Sequence, residues 1–190
     1  GIELRKALRH AHIYVLSALT MGGYKQELEA HELIPVLGSF DQIEYWNNYA
    51  KAKDKPLKAV LHFDTNMGRT GLLARDTENL CLTQLSHLEI CLVMSHLSHS
   101  TSFSAPQNRQ QLQAFEDIRH RFPIAPASLA NSGGIFLGEK FHMDLVRPGL
   151  ALYGGMAFSP QLKPAAHLFA QIIEIDSVPQ GQPIGYDSTY

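Results

Sequence analysis

The stretch DLVRPGLALYGG, residues 144–155, places a short apolar segment directly before Arg147 and a Pro-Gly turn. This pattern predicts a strand that ends at Arg147, and the carboxyl ends of parallel strands are where α/β proteins bind their ligands. Gly149 lets the backbone approach an anion closely, and the N–H groups beside it can donate hydrogen bonds to a phosphate. The stretch therefore predicts a phosphate-binding corner.

A second corner of this kind lies upstream. The apolar segment Ile124–Leu129 predicts a strand, which is followed by Asn131 and Ser132 and then by two glycines that open a short helix. In (β/α)8 barrels the loops after late strands, together with a helix N-terminus, recurrently bind phosphate. The two corners together predict one phosphate cradle. Taken singly, each is also compatible with an ordinary strand-to-helix turn, where Asn, Ser and Gly are common.

Further upstream, predicted strands alternate with predicted helices. The strands cover His12–Leu19, Leu33–Leu37, Leu57–Phe63 and Leu88–Met94, and the helices cover Lys25–Ala30, Phe40–Lys53, Asp76–Leu85 and Pro106–His120. With the two corners, about six consecutive βα units predict an α/β fold, namely a partial (β/α)8 TIM-like barrel that lacks its first strands. An open doubly wound sheet is the alternative. The 190 residues fall short of the roughly 250 of a complete barrel.

The pattern changes after Leu162. Residues Leu168–Ile175 predict a strand that no helix follows, and Pro179–Gln182 predicts a turn. We therefore predict that residues 1–158 form an N-terminally incomplete barrel domain and that residues 159–190 begin a C-terminal β-rich domain. The first residues resemble the interior of a helix, which predicts that a longer protein begins upstream.

Charge and cysteine content narrow the possible partners. The chain has 16 Lys and Arg residues and 18 Asp and Glu residues, which give a net charge of -2. Because positive charge is not in excess, we expect neither a nucleic acid nor an anionic membrane as a partner. No apolar run reaches the roughly 20 residues that span a bilayer. Cys81 and Cys91 have apolar neighbours, which predicts buried free thiols in a reducing cytoplasm. We expect no metal site.

Four polar positions follow the ends of successive predicted strands: Arg69, His96, Asn131 with Ser132, and Arg147 with Gly149. Their joint placement predicts a polar ring at one mouth of an apolar barrel. Taken singly, a histidine in the position of His96 is more often a core residue, and an arginine in the position of Arg69 is more often a solvated loop cation than a ligand.

These residues carry a specific resemblance. The segment HFDTNMGRTGL, residues 62–72, is similar to the Asp-Thr-Gly-Met-x-Arg-x-Gly signature of the alanine racemase family, whose members are pyridoxal phosphate enzymes of fold type III. The segments at 94–97, 130–132 and 146–154 follow in family order. The final residues 185–190, GYDSTY, resemble the Gly-Tyr-x-x-x-Tyr segment that opens the family's β domain.

The resemblance implies a role for each residue of the polar ring. It places Arg147 at the pyridine nitrogen of pyridoxal 5'-phosphate, where an arginine, with a pKa above about 12, donates a hydrogen bond without charging the ring. His96 would pack against the ring. Ser132, Gly149 and Leu150 would hold the phosphate through a hydroxyl and backbone N–H groups, and Asn131 would shape that cradle.

The resemblance also implies how the reaction proceeds. Arg69 would reach the phenolic oxygen of the cofactor and the substrate carboxylate. Tyr186 would be one of two acid/base residues, its pKa lowered through a chain from Tyr186 by way of His96 to Arg147. The family's activity is the interconversion of L- and D-alanine by two-base transfer of the Cα proton, which supplies D-alanine for peptidoglycan. Its tyrosine comes from the second subunit, so a homodimer with shared sites is implied.

Three departures from the family pattern qualify these roles. The family's second base, a lysine that carries the cofactor, lies on a strand that this chain lacks, so we expect residues 1–190 alone to be inactive. Asn66 replaces a glycine of the Arg69 loop, where Asn tolerates the left-handed region. His62 stands where many members have a carbamylated lysine, so Arg69 needs another partner. A broader-specificity racemase and a non-catalytic pyridoxal phosphate-binding barrel are the alternatives.

Overall fold

The computed structural model describes residues 1–16, 24–80, 82–123, 125–155, 159 and 161–184. Its core is a curled, entirely parallel sheet of half-barrel form, which confirms the predicted α/β barrel class. The strands are β1 (Ile13–Val15), β2 (Leu33–Leu37), β3 (Leu57–Asp64), β4 (Leu72–Leu73), β5 (Leu88–Met94) and β6 (Ala127–Ser128). The spatial order is β1-β2-β3-β5-β6, and β4 pairs with the end of β3.

Helices connect the strands. They are α1 (Ile2–Ala7), α2 (Lys25–Ala30), α3 (Phe40–Ala52) and α4 (Pro106–Arg119). Helix α3 begins at the predicted cap, where Ser39 Oγ accepts a hydrogen bond from the Gln42 N–H at 3.3 Å. Helix α4 begins with Pro106, whose missing N–H is not needed in the first turn of a helix.

Both faces of the sheet are apolar and buried, as is usual for parallel sheets. One cluster lies between the strands and the helices and includes Trp46, Phe63 and Phe115. A smaller cluster on the other face joins three neighbouring strands and consists of Ile34, Val36, Val60, Leu92 and Met94. Burial on both faces explains why β2 and most of β3 are continuous apolar runs without alternation.

Two predicted elements take a different form. The helix predicted for Asp76–Leu85 is instead two short 3-10 segments, Ala74–Glu78 and Leu82–Leu85, in a region where Thr and Asn disfavour a continuous α-helix. The strand predicted to end at Arg147 lies beside β6 as expected, because Arg147 N–H donates to Ala130 C=O at 2.9 Å. It is reduced to one parallel bridge, Asn131 to Arg147, because Pro148 has no N–H to continue the ladder.

The strand predicted for Leu168–Ile175 is wrong for this structure. Residues 161–184 contain neither helix nor strand, and Leu168 and Ile173 are 99% and 96% exposed. An apolar, β-branched run forms a strand only when a neighbouring strand accepts and donates its backbone hydrogen bonds, and the described chain places none beside it. The division into domains 1–158 and 159–190 stays a prediction.

Two smaller expectations can be followed in the described residues. Cys91 is a half-buried free thiol that donates a weak hydrogen bond to Ala59 C=O at 3.2 Å, and burial raises its pKa. Cys81 lies outside the described residues. Where the structure describes the chain, its helices lack the length and apolar character that a bilayer crossing requires.

Candidate active site

Most of the predicted site residues lie around one cavity of about 270 Å³ at the carboxyl ends of β5 and β6. The described residues that line it are His96, Ser100, Thr101, Asn131, Ser132, Gly133, Arg147, Gly149 and Leu150. The structure therefore brings together six of the eight residues proposed from the sequence. Arg69 is not among the lining residues, and Tyr186 lies outside the described chain.

The two corners meet at Ser132. Its Oγ accepts hydrogen bonds from the backbone N–H groups of Gly149 at 2.9 Å and Ala151 at 3.1 Å. Both acceptor positions of the hydroxyl are then used, so its proton is left to be donated to a further group. A Cβ built on Gly149 would meet no atom within 4 Å, so the space above this corner is open. The arrangement suits an anion oxygen.

Asn131 sets the protonation state of His96. The Asn131 amide is oriented by two bonds, since its Oδ1 accepts from Gly134 N–H at 3.0 Å and its Nδ2 donates to Leu97 C=O at 3.0 Å. That NH2 group also faces His96 Nε2 at 3.2 Å. Because the amide nitrogen can only donate, Nε2 must be an unprotonated acceptor and the ring proton sits on Nδ1.

Burial and nearby cations agree with this neutral state. Burial, followed by the positive charges of Arg147 and Arg69, lowers the pKa of His96 to about 4. His62, buried on β3, has its pKa lowered to about 4 for the same reasons. Both imidazoles are therefore neutral at neutral pH.

Arg147 is held by uncharged acceptors. Its Nη2 donates to the carbonyl oxygens of Ser95 and, at 3.3 Å, Leu129, and its Nη1 donates to Ser128 Oγ at 3.4 Å. Burial, and then repulsion from Arg69, lower its pKa to about 10, so it stays charged at neutral pH. In the described chain no carboxylate lies within ion-pair distance of this guanidinium. No hydrogen bond joins Arg147 to His96 there, so in the described residues Arg147 acts on His96 only through its charge.

The loop that carries Arg69 is built around Asp64 at the end of β3. The Asp64 carboxylate accepts from the N–H groups of Met67 at 2.6 Å, Gly68 at 2.8 Å and Arg69 at 3.2 Å. Asn66 adopts φ 75°, which confirms that it occupies the left-handed region. The Arg69 side chain is exposed, and within the described residues its guanidinium has no hydrogen bond or ion pair.

The charges of this region are unbalanced. Two guanidinium groups and two neutral imidazoles influence one another here, and none of the described lining residues carries a carboxylate. Asp64 is a nearby carboxylate, since its charge partly offsets the lowering of the His62 pKa, but it is not among the described lining residues and two guanidinium charges exceed its one. An anion bound in the cavity would relieve the repulsion between Arg147 and Arg69 and would accept the free Ser132 proton. The donor set therefore fits a phosphate-bearing or carboxylate-bearing ligand.

Sequence reasoning missed the groups that support these side chains. Thr65 and Ser95 join their hydroxyls at 2.7 Å beneath the cavity, and Gln111 of α4 reaches both the loop and Thr65. A signal existed, because Asn108 and Gln111 occupy the same helical stripe as the apolar Phe115 and Ile118. Polar residues on a buried stripe require hydrogen-bond partners, so this pattern indicates a supporting contact.

A parallel βα half-barrel with a cavity at the carboxyl ends of its strands, lined by groups that suit an anion, is the class that the fold and the site define. Within that class, the family model "Alanine racemase, N-terminal domain" matches residues 1–157, and the chain belongs to this family. The resemblance read from the motifs is thereby confirmed.

Curated relatives agree. The chain is 38% identical over 193 residues to an alanine racemase of Rickettsia canadensis, with 100% of this chain and 53% of the relative covered. It is 37% identical over 196 residues to a biosynthetic alanine racemase of Agrobacterium fabrum, with 100% and 49% covered. The chain thus spans about half the length of the curated relatives it matches.

Solved structures agree with the fold. The alanine racemase of Bartonella henselae, solved with covalently bound pyridoxal phosphate, superposes with a TM-score of 0.75 at 33% identity, covering 86% of this chain and 50% of that one. The biosynthetic alanine racemase of Pseudomonas aeruginosa gives a TM-score of 0.80 at 28% identity, covering 99% and 54%.

Proposed function

We propose that this chain supplies the pyridoxal 5'-phosphate cradle of an alanine racemase, an isomerase that interconverts L- and D-alanine. One observation carries the proposal: Ser132, Arg147 and Gly149, which the sequence assigns to a single ligand, line one cavity. Family membership and the bound cofactor in the Bartonella henselae relative support it. D-alanine supply for peptidoglycan, a homodimer with shared sites and a cytoplasmic location belong to the same proposal.

The residues present fit the cofactor. Its phosphate would accept from the Ser132 hydroxyl and from backbone N–H groups at Gly149 and Leu150, with Asn131 holding the corner in shape. Arg147 would donate to the ring nitrogen, and the neutral His96 would lie beside the ring. When bound, pyridoxal phosphate withdraws electrons from the Cα of an attached amino acid and makes its proton removable.

The protein's part is to position charge and to move protons. Arg147, with its pKa at about 10, donates a hydrogen bond at neutral pH without surrendering its proton. Arg69 is exposed and would receive the substrate carboxylate, which a planar fork of N–H donors binds well. Tyr186 would transfer the Cα proton on one face, and the proton on Nδ1 of His96 would be available to the Tyr186 oxygen.

The test is Tyr186→Phe in the intact protein that contains this chain. Removing one of two acid/base groups should lower kcat/KM for racemisation by about 10² to 10⁴ and by the same factor in both directions, because the two enantiomers have equal free energy, while the cofactor stays bound. Rates are measured in both directions by chiral separation of the products, and the cofactor by its absorbance.

The matched control is Tyr24→Phe, because Tyr24 is 65% exposed. It should leave both rates unchanged. Undiminished rates in Tyr186→Phe would remove Tyr186 from the mechanism. Racemisation of serine as fast as alanine would replace the proposal with a broader-specificity racemase, and cofactor binding without racemisation would favour a non-catalytic barrel.

A further inference from the structure

Helix α4 presents two buried side-chain amides, three residues apart, to the loop of residues 95–105 that follows β5. Asn108 and Gln111 are 2% and 1% exposed, and they share a stripe with Phe115 and Ile118. Apolar side chains would fill such positions without the cost of desolvating an amide. Buried amides at both positions therefore indicate that their hydrogen bonds matter more than their volume.

Gln111 makes its bonds to the part of the loop that carries His96. Its Nε2 donates to His96 C=O at 3.0 Å, and its Oε1 accepts from the N–H and the Oγ of Ser98, both at 2.9 Å. The same Nε2 lies 3.4 Å from Thr65 Oγ1, which is itself bonded to Ser95 Oγ. One side chain thus ties α4, the end of β3 and the end of β5 together.

The hydrogen bonds of Gln111 also affect Arg147, because they hold the segment whose carbonyl groups accept from Arg147 and Asn131. The His96 carbonyl accepts from Gln111 of α4, whereas the preceding Ser95 carbonyl accepts from Arg147 Nη2, so two consecutive carbonyl groups are held by different partners. Leu97 lies between His96 and Ser98, the two residues that Gln111 holds. Its carbonyl accepts from Asn131, whose amide faces the His96 ring.

Asn108 binds a later part of the same loop, at His99 and Ser102. Its Nδ2 donates to the carbonyls of Ser102 at 2.9 Å and His99 at 3.3 Å. None of the hydrogen bonds described for Asn108 reaches His96, Ser95 or Arg147. The two amides therefore lie on one helix, are similarly buried and bind one loop. Gln111 binds the segment that carries His96, whereas Asn108 does not.

We propose that Gln111 is a positioning residue for the His96–Arg147 pair, setting the place of the imidazole and of the carbonyl that holds the guanidinium. The identity of the ligand rests on the proposed function, whereas the effect on His96 does not. An anchor for the loop alone would predict that losing Gln111 or Asn108 has the same consequences.

The experiment compares Gln111→Met with Asn108→Leu in the intact protein that contains this chain. Each replacement keeps the approximate volume and removes the hydrogen bonds. The His96 imidazole is titrated by NMR in the cofactor-free protein, with its resonance assigned by its loss in His96→Asn. Thermal stability and the dissociation constant for pyridoxal 5'-phosphate are measured in the same samples.

Gln111→Met should raise the pKa of His96 by about one unit or more, because the ring gains solvent and moves away from the groups that disfavour its charge. Those groups are Arg147, Arg69 and His62. The dissociation constant should rise about tenfold. Asn108→Leu should lower stability comparably but move the His96 pKa by less than about a third as much.

Two further variants complete the design. Gln113→Met is the matched surface control, since Gln113 lies exposed on the same helix and donates only to Asp117 at 3.2 Å. If Gln111→Met does not fold, Gln111→Asn adds no charge and keeps an amide but is one methylene too short to reach the His96 carbonyl, and it should shift the His96 pKa in the same direction.

An unchanged His96 pKa in the folded Gln111 variants would overturn the proposal, as would equal shifts in the Gln111 and Asn108 variants. A parent protein that does not bind pyridoxal 5'-phosphate would overturn the proposed function. The His96 titration would still decide the role of Gln111 in that case.

Discussion

The cavity at the amino ends of the strands holds about 420 Å³, whereas the cavity at the carboxyl ends holds about 270 Å³. The larger one is lined by basic and acidic side chains together, including Arg5, Glu29, Lys58 and Glu89. The described lining of the smaller one has a guanidinium and no carboxylate. Volume alone would direct attention to the wrong end of the sheet.

Two arginines make the difference concrete. Arg5 donates to five backbone carbonyl oxygens, those of Leu8, Arg9, Ala11, His31 and Glu32, and so closes the chain around itself. Arg147 also donates to carbonyls, but burial and Arg69 lower its pKa to about 10. Arg5 stabilises the fold. Arg147 has no carboxylate partner in the described residues, so a bound anion would balance its positive charge. Unbalanced charge, rather than size, distinguishes the proposed cofactor cavity.

The largest expected effect separates these two arginines. Arg147→Leu should weaken pyridoxal 5'-phosphate binding by roughly 100-fold, since loss of a partly buried charged donor costs about 3 kcal/mol. Arg5→Leu should lower thermal stability and leave the dissociation constant unchanged. Both quantities are measured for both variants by absorbance titration and thermal unfolding. Equal losses of affinity would erase the distinction between the cavities.

The second prediction concerns pH. His62 and His96 have folded pKa values of about 4, below the ordinary 6.5, so between these values the unfolded chain binds more protons than the folded chain. The free energy of unfolding should therefore fall as pH drops from 6.5 to 4, by about 1.4 kcal/mol per pH unit for each histidine. Urea unfolding at several pH values measures this.

Single replacements sharpen the pH test. His62→Gln should remove about half of the slope, and His96→Gln the other part, because each variant lacks one group that resists protonation. A parent protein whose stability is flat from pH 6.5 to 4 would show that the two rings are not held neutral at this end of the sheet.

A smaller effect is expected at the phosphate corner. Ser132→Ala should weaken pyridoxal 5'-phosphate binding by about tenfold, because the hydroxyl donor is lost and the Gly149 and Ala151 N–H groups lose their acceptor. Ser39→Ala is the matched control, since Ser39 Oγ also accepts from a backbone N–H but caps α3. It should cost about 1 kcal/mol of stability and leave affinity unchanged. The reverse pattern would move the anion site away from Ser132.

The smallest effect belongs to the larger cavity. Glu89→Gln, an exposed position in its lining, should change stability by less than about 0.5 kcal/mol and should not alter cofactor affinity. Isothermal titration with pyridoxal 5'-phosphate checks this. A measurable gain or loss of affinity would show that the cavity at the amino ends of the strands also affects cofactor binding.

Several elements could be predicted closely because their pattern is local. Helix Lys25–Ala30 and the strands Leu33–Leu37 and Leu88–Met94 have the predicted bounds. Their apolar runs, caps and breaks are contained within the segments themselves. The run Leu168–Ile175 has the same composition of strand-forming residues but forms no strand, because pairing depends on a neighbour that composition does not supply.

The sequence predicted the polar residues that line the candidate site but missed the residues that support them. Ser132, Arg147 and Gly149 follow predicted strands and could be assigned to one edge of a sheet. The placement of Arg69 outside the cavity lining could not be predicted, because it depends on how Asp64 folds the intervening loop. Tyr186 lies outside the described chain, so its role stays a proposal.

The amino-acid sequence by itself determined the order of strands and helices, the polar residues at the strand ends and the family resemblance, because periodicity and motifs are properties of neighbouring residues. Only the tertiary structure decided which cavity gathers unbalanced charge, that His96 is a neutral acceptor of the Asn131 amide, and that Gln111 holds its loop. These features depend on contacts between residues distant along the chain, 15 positions apart for Gln111 and His96, 35 for Asn131 and His96 and 52 for Arg147 and Ser95, and on a burial that no local pattern encodes.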